Sequence, residues 1–178
     1  EQKLDLADGL AVKTRAGKDD MQLTSRLCVE AEDKSAHCRI DCTAKSQGPG
    51  WLVVSIRPFN PEGVSFVHDI APQGRQQLAI EKVSCLRFDR PMDRHIVSKY
   101  RNGDVFDHLP GEDRLDTAHC DVGLASSAAM FRLDDTHQAD LSIRVDLSAD
   151  EKSRPIAPSG EIQPWADALD ATARLECP

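Results

Sequence analysis

The sequence predicts an all-β protein, an antiparallel β-sandwich with one short C-terminal helix. Three observations predict this fold. Apolar and polar residues alternate along several segments, turn residues separate these segments at hairpin spacing, and helical periodicity is scarce before the last residues. At 178 residues, the chain has the size of one domain with a substantial core.

Two segments carry the clearest alternation. The apolar residues of the first are Met21, Leu23, Leu27, Val29 and Ala31. Those of the second are Leu141, Ile143, Val145 and Leu147. Because successive side chains of a strand point to opposite faces, each segment predicts a strand with one buried face. Leu10 and Val12 indicate an opening strand that ends at a turn over residues 16–20.

The run from Trp51 to Ile70 predicts two core strands joined by a tight turn. The segment Trp51–Arg57 is apolar on both sides, so we expect a central strand that is covered on both faces. Asn60-Pro-Glu-Gly63 has the residue types of a β-turn. The return strand begins at Val64, and His68 lies in its apolar register.

The next segments continue the strand pattern. We predict strands over residues 77–88 and 95–100, then an Asn-Gly hairpin turn over 101–104 with its return strand over 105–109. Residues 110–117 form a charged loop. The segment Cys120–Leu133 is compatible with a kinked strand or a helix, and the strand is favoured.

The chain changes character near its end. Residues 1–148 are predicted to form the sandwich, 149–163 a linker or loop, and 164–178 a short helix that leads toward a further domain. The apolar stripe of this helix consists of Trp165, Ala168, Leu169, Thr172 and Ala173. Such a stripe needs a partner, which is either the sandwich itself or the segment that follows.

Composition excludes some classes of function. With 22 basic and 30 acidic residues, the net charge of −8 opposes general binding of nucleic acid, which requires a basic surface. No apolar run approaches the ~18 residues that span a bilayer, and residues 1–8 contain no apolar leader. We therefore expect no membrane partner, and the cytoplasm is slightly favoured.

The six cysteines are scattered without the rhythm of a disulfide scaffold, so we expect free, buried thiols. Cys38 and Cys42 are close in sequence and are the weak candidates for a metal site. No second pair accompanies them, and we expect neither a metal nor another cofactor.

No catalytic constellation is visible. His68 and Asp69 are neighbours in a predicted strand and therefore cannot pair, and His68 is expected to flank the core. The other four histidines of residues 51–178 have polar neighbours and are expected at the surface: His95, His108, His119 and His137. Motifs of serine hydrolases, P-loop proteins and dinucleotide-binding proteins are absent. Phe59 is the one obvious platform for a sugar, since most other aromatic residues are expected in the core.

The segment from Ser55 to His68, Ser-Ile-Arg-Pro-Phe-Asn-Pro-Glu-Gly-Val-Ser-Phe-Val-His, resembles the N-terminal β-supersandwich domain of glycogen-debranching-enzyme-like and other six-hairpin glycosidases. Segments 103–105, 120–125 and 165–175 are similar in kind. In that family the sandwich precedes an (α/α)6 toroid, whose loops carry the catalytic carboxylates. The resemblance implies a supersandwich-like, non-catalytic domain that supports an (α/α)6 domain in cis and helps to bound its carbohydrate cleft.

The resemblance assigns no catalytic residue to this chain. The candidates for contact with carbohydrate or with the toroid are Arg57, Phe59, Asn60, Glu62 and His68. Their hairpin is alternatively a purely structural feature. A second hypothesis is a stand-alone β-sandwich module for protein interaction or carbohydrate binding. Exposed aromatic residues in a row would favour sugar binding, and an uncovered apolar patch would favour a partner domain.

Overall fold

The computed structural model describes residues 1–6, 10–32, 35–60, 63–81 and 84–147. The predicted linker at 149–163 and the predicted helix at 164–178 lie outside these residues. Fourteen strands are described. Their bounds are β1 Gln2–Asp5, β2 Ala11–Lys18, β3 Met21–Glu32, β4 Ser35–Lys45, β5 Trp51–Ile56, β6 Phe59–Asn60, β7 Gly63–Val64, β8 Asp69–Pro72, β9 Gln77–Ile80, β10 Ser84–Phe88, β11 Arg94–Ser98, β12 Ala118–His119, β13 Ser126–Arg132 and β14 Gln138–Leu147.

The strands form two main antiparallel sheets and one small ribbon. The large sheet has nine strands in the order β1-β2-β3-β4-β14-β10-β9-β8-β12, and the small sheet has the order β11-β13-β5. The ribbon pairs β6 with β7. The prediction of an all-β, sandwich-like fold is confirmed. No helix in the described part of the chain has the length and apolar character needed to cross a membrane.

Alternation determines the two faces of the large sheet. Leu27, Ile40 and Ile143 are cross-strand partners on neighbouring strands, so their side chains share one face. The opposite face is polar and holds ion pairs such as Arg39–Glu30 and Arg87–Asp146. The strands that alternation predicted at 21–31 and 141–147 are therefore confirmed as parts of β3 and β14.

Strand β13 is the centre of the small sheet and is buried on both faces. Leu52, Phe88, Phe131 and Ile143 belong to the main core, which lies between the sheets. On the outer face, Val105 from the segment after β11 joins a second cluster with Ile96, Ala128 and Met130. Since Ala128 and Ala129 are fully buried, the small residues of β13 allow close packing on both sides.

The predicted pairing of the two strands in Trp51–Ile70 is wrong. β5 pairs with β13 in the small sheet, whereas β8 pairs with β9 and β12 in the large sheet. Only the tip, Phe59–Asn60 against Gly63–Val64, forms a hairpin ribbon. β5 is covered on both faces, as expected, but it lies at the edge of its sheet rather than in the centre.

Three later predictions also need correction. Residues 101–109 do not form a hairpin but two 3₁₀ helices, Tyr100–Asn102 and Val105–His108. Asp104 explains the difference, because its side chain accepts a hydrogen bond from the Phe106 amide and caps the second helix. Cys120–Leu133 is not one continuous strand, since a turn precedes β13. The segment predicted at 77–88 is divided between β9 and β10.

Phe131 tests the main core. Its ring is fully buried and meets Phe88 edge-on, with 5.1 Å between ring centroids. We expect Phe131→Ala to lower the free energy of unfolding by about 3–5 kcal/mol, because a large cavity replaces the ring. Denaturant unfolding followed by circular dichroism measures the change. The matched control is Phe106→Ala, which removes an exposed ring and should cost less than about 0.5 kcal/mol. Equal losses in both variants would contradict the assigned core.

Candidate functional site

The residues predicted to contact carbohydrate or a domain lie around the β6–β7 ribbon. Phe59 is exposed at the ribbon, as predicted, and pairs across it with Val64, which is also exposed. The backbone of Asn60 pairs with Gly63. Glu62 lies outside the described residues. The ribbon therefore presents apolar side chains to the surroundings at the end of the sandwich.

Arg57 connects this ribbon to the neighbouring 3₁₀ helix. Its guanidinium lies 5.5 Å from the centroid of the Phe59 ring, and its Nε donates a hydrogen bond to Asp104 at 2.9 Å. The other oxygen of Asp104 accepts from the Phe106 amide at 2.8 Å. One carboxylate thus joins the ribbon to the helix Val105–His108, and Arg57 is a positioning residue for both.

His68 lies on the far side of the ribbon. Glu81 accepts hydrogen bonds from the backbone amides of His68 and Asp69, and its carboxylate lies 3.4 Å from the His68 ring. Asp69 itself bonds to His119, with 2.7 Å between its Oδ1 and the ring Nδ1. Nearby, a Cβ on Gly123 would come within 2.8 Å of Phe66, so close packing requires glycine there.

A cleft lies next to these elements, between the edge strands β11 and β12. Its volume is about 540 Å³. A second hollow of about 350 Å³ shares Lys99 and His119 with it and continues past Tyr100 to Val122. The polar side chains that line the larger cleft include Lys99, Asn102, His108, Glu112, Arg114 and His119. We call the two hollows together the His119 cleft.

His119 is held between two carboxylates where the hollows meet. Its Nδ1 lies 2.7 Å from Asp69 and its Nε2 lies 3.0 Å from Asp121. Both hydrogen bonds, first that to Asp69, favour the protonated ring and raise the pKa of His119 above its ordinary value of 6.5. Both ring nitrogens of His119 are thus engaged by carboxylates, which fix the ring at the centre of the cleft.

His95 holds the wall of the cleft from inside the sandwich. Contrary to the sequence-based expectation of a surface position, it is fully buried. Its amide donates to Asp113 at 2.9 Å and its carbonyl accepts from the Arg114 amide at 2.8 Å. Asp113 is also paired with Arg75, which lowers the pKa of that carboxyl. These bonds fix the charged loop 110–117 against β11.

Of the described cysteines, Cys120 lines the smaller hollow of the His119 cleft, and the other four lie outside both hollows. The five described cysteines are free thiols, as expected, but only Cys28 and Cys120 are buried. Cys38 and Cys42 lie on one face of β4, and four residues of strand separate them by about 13 Å. Burial raises the pKa of the Cys42 thiol. Among the described residues, no three His, Cys, Asp or Glu side chains are grouped to hold a metal ion.

The sequence failed to identify most of the exposed aromatic residues at this end. Phe66, Tyr100 and Phe106 were among those expected in the core, but all three are exposed. The Phe106 amide bonds to Asp104, which also binds Arg57 beside the Phe59 ring. Tyr100 lines the smaller hollow together with Val122, and Phe66 packs close to the backbone of Gly123. The positions of Tyr100 and Phe106 beside an Asn-Gly turn were the available signal.

The site therefore combines a polar cleft with exposed aromatic rings. Planar rings stack on the apolar faces of ligands, and charged and amide side chains bind hydroxyl groups in pairs. No protein family profile and no curated protein sequence matches this chain. The geometry of the cleft is consequently the basis for assigning a function.

His119 provides a test of the cleft electrostatics. In an NMR titration, we expect its ring to titrate above pH 6.5, because Asp69 and Asp121 stabilise the imidazolium. Asp69→Asn removes the larger of the two contributions and should lower this pKa. The bonds of protonated His119 to Asp69 and Asp121 stabilise the folded protein at low pH. This stabilisation is lost as the pH rises through the folded-state pKa of His119. A His119 pKa at or below 6.5 in the unaltered protein would contradict the observed geometry.

His95 predicts a loss of stability in acid. Burial lowers its pKa below the ordinary 6.5, although Asp113 and Asp116 oppose this effect and Arg75 adds to it. As pH falls below 6.5, the unfolded chain takes up a proton that the folded protein refuses, so the folded state becomes less stable. His95→Leu should remove this part of the pH dependence in denaturant titrations.

A substitution that does not titrate serves as the control for His95→Leu. The buried neighbour Ile96 in β11 provides this control, because Ile96→Val removes no titratable group and should leave the acid dependence of stability unchanged. An unchanged acid dependence in His95→Leu would show that His95 does not resist protonation.

Proposed function

We propose that this chain is a non-catalytic β-sandwich module of a glycoside-hydrolase-like protein, and that it helps to bound a carbohydrate cleft beside an (α/α)6 catalytic domain. The observation that carries the proposal is the position of exposed aromatic rings next to the polar His119 cleft. The resemblance of residues 55–68 to glycogen-debranching-related sandwich domains supports the choice of carbohydrate as the ligand class.

The cleft has the chemistry that a sugar requires. Tyr100 borders it and is exposed, so its ring is available to stack against a pyranose face. Lys99, Arg114 and the side-chain amide of Asn102 can donate hydrogen bonds, whereas the carboxylate of Glu112 accepts them. Vicinal hydroxyl groups need both kinds of partner at short spacing. This arrangement supports binding without requiring a nucleophile or an acid–base pair.

The aromatic residues outside the cleft suit a protein partner. Phe59 and Phe106 are exposed but do not line either hollow. Exposed apolar groups rimmed by charges are typical of protein interfaces. We assign Phe59, Phe106 and the Arg57 link between them to contact with the catalytic domain in cis. The alternative is a stand-alone carbohydrate-binding or interaction module, in which the same residues contact another chain.

The proposal predicts weak sugar binding and no hydrolysis by the purified chain. Titration with maltooligosaccharides, followed by NMR, should shift signals of the His119 cleft. Tyr100→Ala should weaken binding about tenfold, since a stacking ring contributes on the order of 1 kcal/mol. The matched control Phe106→Ala should bind like the unaltered chain. Release of reducing sugar from α-glucans, by contrast, would refute the non-catalytic assignment.

The domain partner is tested separately from the sugar. We expect the gene to continue beyond the codon for Pro178 with several hundred residues of helical periodicity, as an (α/α)6 domain requires. A stop codon at that position would refute a partner in cis. Sugar binding by the 178-residue chain would then support the stand-alone module.

A further inference from the structure

The large sheet exposes an apolar face that the small sheet does not cover. One row of cross-strand partners runs along this face from β1 to β10 through Leu4, Val12, Leu27, Ile40, Ile143 and Phe88. Leu4 is 55% exposed, Leu27 is 38% exposed, and Ile143 and Phe88 are 4% exposed. The same face therefore forms the core under the small sheet, and beyond it no described residues cover this face.

The bare part lies on β1 to β4 and at the end of β14. Its exposed apolar residues within the strands are Leu4, Met21, Leu23, Leu27, Val29 and Leu147. We call this surface the open face. Single exposed apolar residues are ordinary, but a set on one side of adjacent strands indicates a docking surface. The other side of the same strands carries ion pairs, so it has no need of a cover.

A groove borders the open face where the small sheet ends. It has a volume of about 430 Å³ and lies between Met21, Leu23 and Ala44 of the large sheet and Trp51 and Val53 of β5. In the described part of the chain, β5 pairs only with β13, so its other edge faces this groove. The groove therefore has apolar walls on two sides and accepts an element that lies alongside β5.

The chain itself carries a segment of matching character. Residues 164–176 include the stripe of Trp165, Ala168, Leu169, Thr172 and Ala173, and the charged residues Asp167, Asp170 and Arg174 fall on the opposite side of a helix. As a helix, this segment has a length of about 20 Å and a diameter near 10 Å, which covers about two strands. Its small residues allow close approach to a sheet.

Strand β14 also ends beside the open face. The last described residue, Leu147, is exposed and lies in the register of the open face, since Ile143 and Leu147 alternate along β14. Residues 148–163 extend to at most about 50 Å. β14 and β2 are three strand spacings apart, which is about 14 Å. The connection is thus long enough to place the segment anywhere on the open face.

We propose that residues 164–176 dock as an amphipathic helix on the open face, with Trp165 at the groove beside β5. The covalent connection favours this occupant over a second copy, because tethering raises the effective concentration into the millimolar range. The docked helix covers part of the nine-stranded sheet that the three-stranded sheet leaves exposed. This proposal concerns the face of β1–β4 and is independent of carbohydrate binding at the His119 cleft.

Tryptophan fluorescence tests the docking in the full 178-residue chain. Trp51→Phe leaves Trp165 as the single tryptophan and keeps an aromatic ring at the β5 wall of the groove. We expect blue-shifted emission and quenching by acrylamide that is several-fold weaker than in the unfolded chain. Adding Leu23→Asp to the open face should shift the emission to the red and restore quenching. The matched control is Leu115→Asp, since Leu115 is 42% exposed and Leu23 is 40% exposed.

Two controls accompany the fluorescence measurement. Circular dichroism must show that Leu23→Asp retains its β-sheet signal. Trp165→Ala, which leaves the sheet unaltered, should increase the binding of a hydrophobic dye.

Three outcomes distinguish the possible occupants of the open face. Emission and quenching that do not change with protein concentration support docking within one chain. Protection that appears only in dimers would overturn the proposal in favour of a second copy. Emission of a fully exposed Trp165 in the folded protein would overturn docking altogether.

Discussion

The burial of β13 on both faces is the constraint on which the rest of the structure depends. Ala128 and Ala129 lie on opposite sides of this strand and are both fully buried. One side therefore requires the large sheet, and the other requires the segment that contains the two 3₁₀ helices. Ser126 fixes that segment, because its hydroxyl accepts a hydrogen bond from the Val105 amide at 3.0 Å. The position of the His119 cleft follows, since His108 and Asn102 belong to this segment.

The same constraint explains the unequal sizes of the two sheets. A small sheet whose centre is a strand of small residues packs closely on both sides, but its three strands cover only part of the nine-stranded sheet. Main-core contacts accordingly involve β14, β10 and β9, with Ile40 and Cys42 of β4 at the margin. Beyond β4 the alternation persists although no cover is described there. The alternation of apolar and polar residues therefore continues in strands that lie outside the observed core.

Local patterns predicted the strands well and predicted their partners poorly. Alternation identified β3 and β14 because each has one apolar face, and this depends only on neighbours within the strand. The partner of β5 depends on β13, which lies about 75 residues away and whose alanines and serines give no apolar signal. Likewise, Asn102-Gly103 predicted a hairpin, but the cap formed by Asp104 stabilises a 3₁₀ helix instead.

The candidate site shows the same limit and also its physical origin. Arg57 and Phe59 were identified from the sequence, whereas His119 was expected to be an ordinary surface residue. What distinguishes His119 is Asp69, which lies 50 residues earlier and reaches it only through the pairing of β12 with β8. The Arg57–Asp104 bond likewise joins two loops that only the fold brings together. Since both links cross between elements, the charges of the cleft and the aromatic residues around it form one unit only in the folded chain.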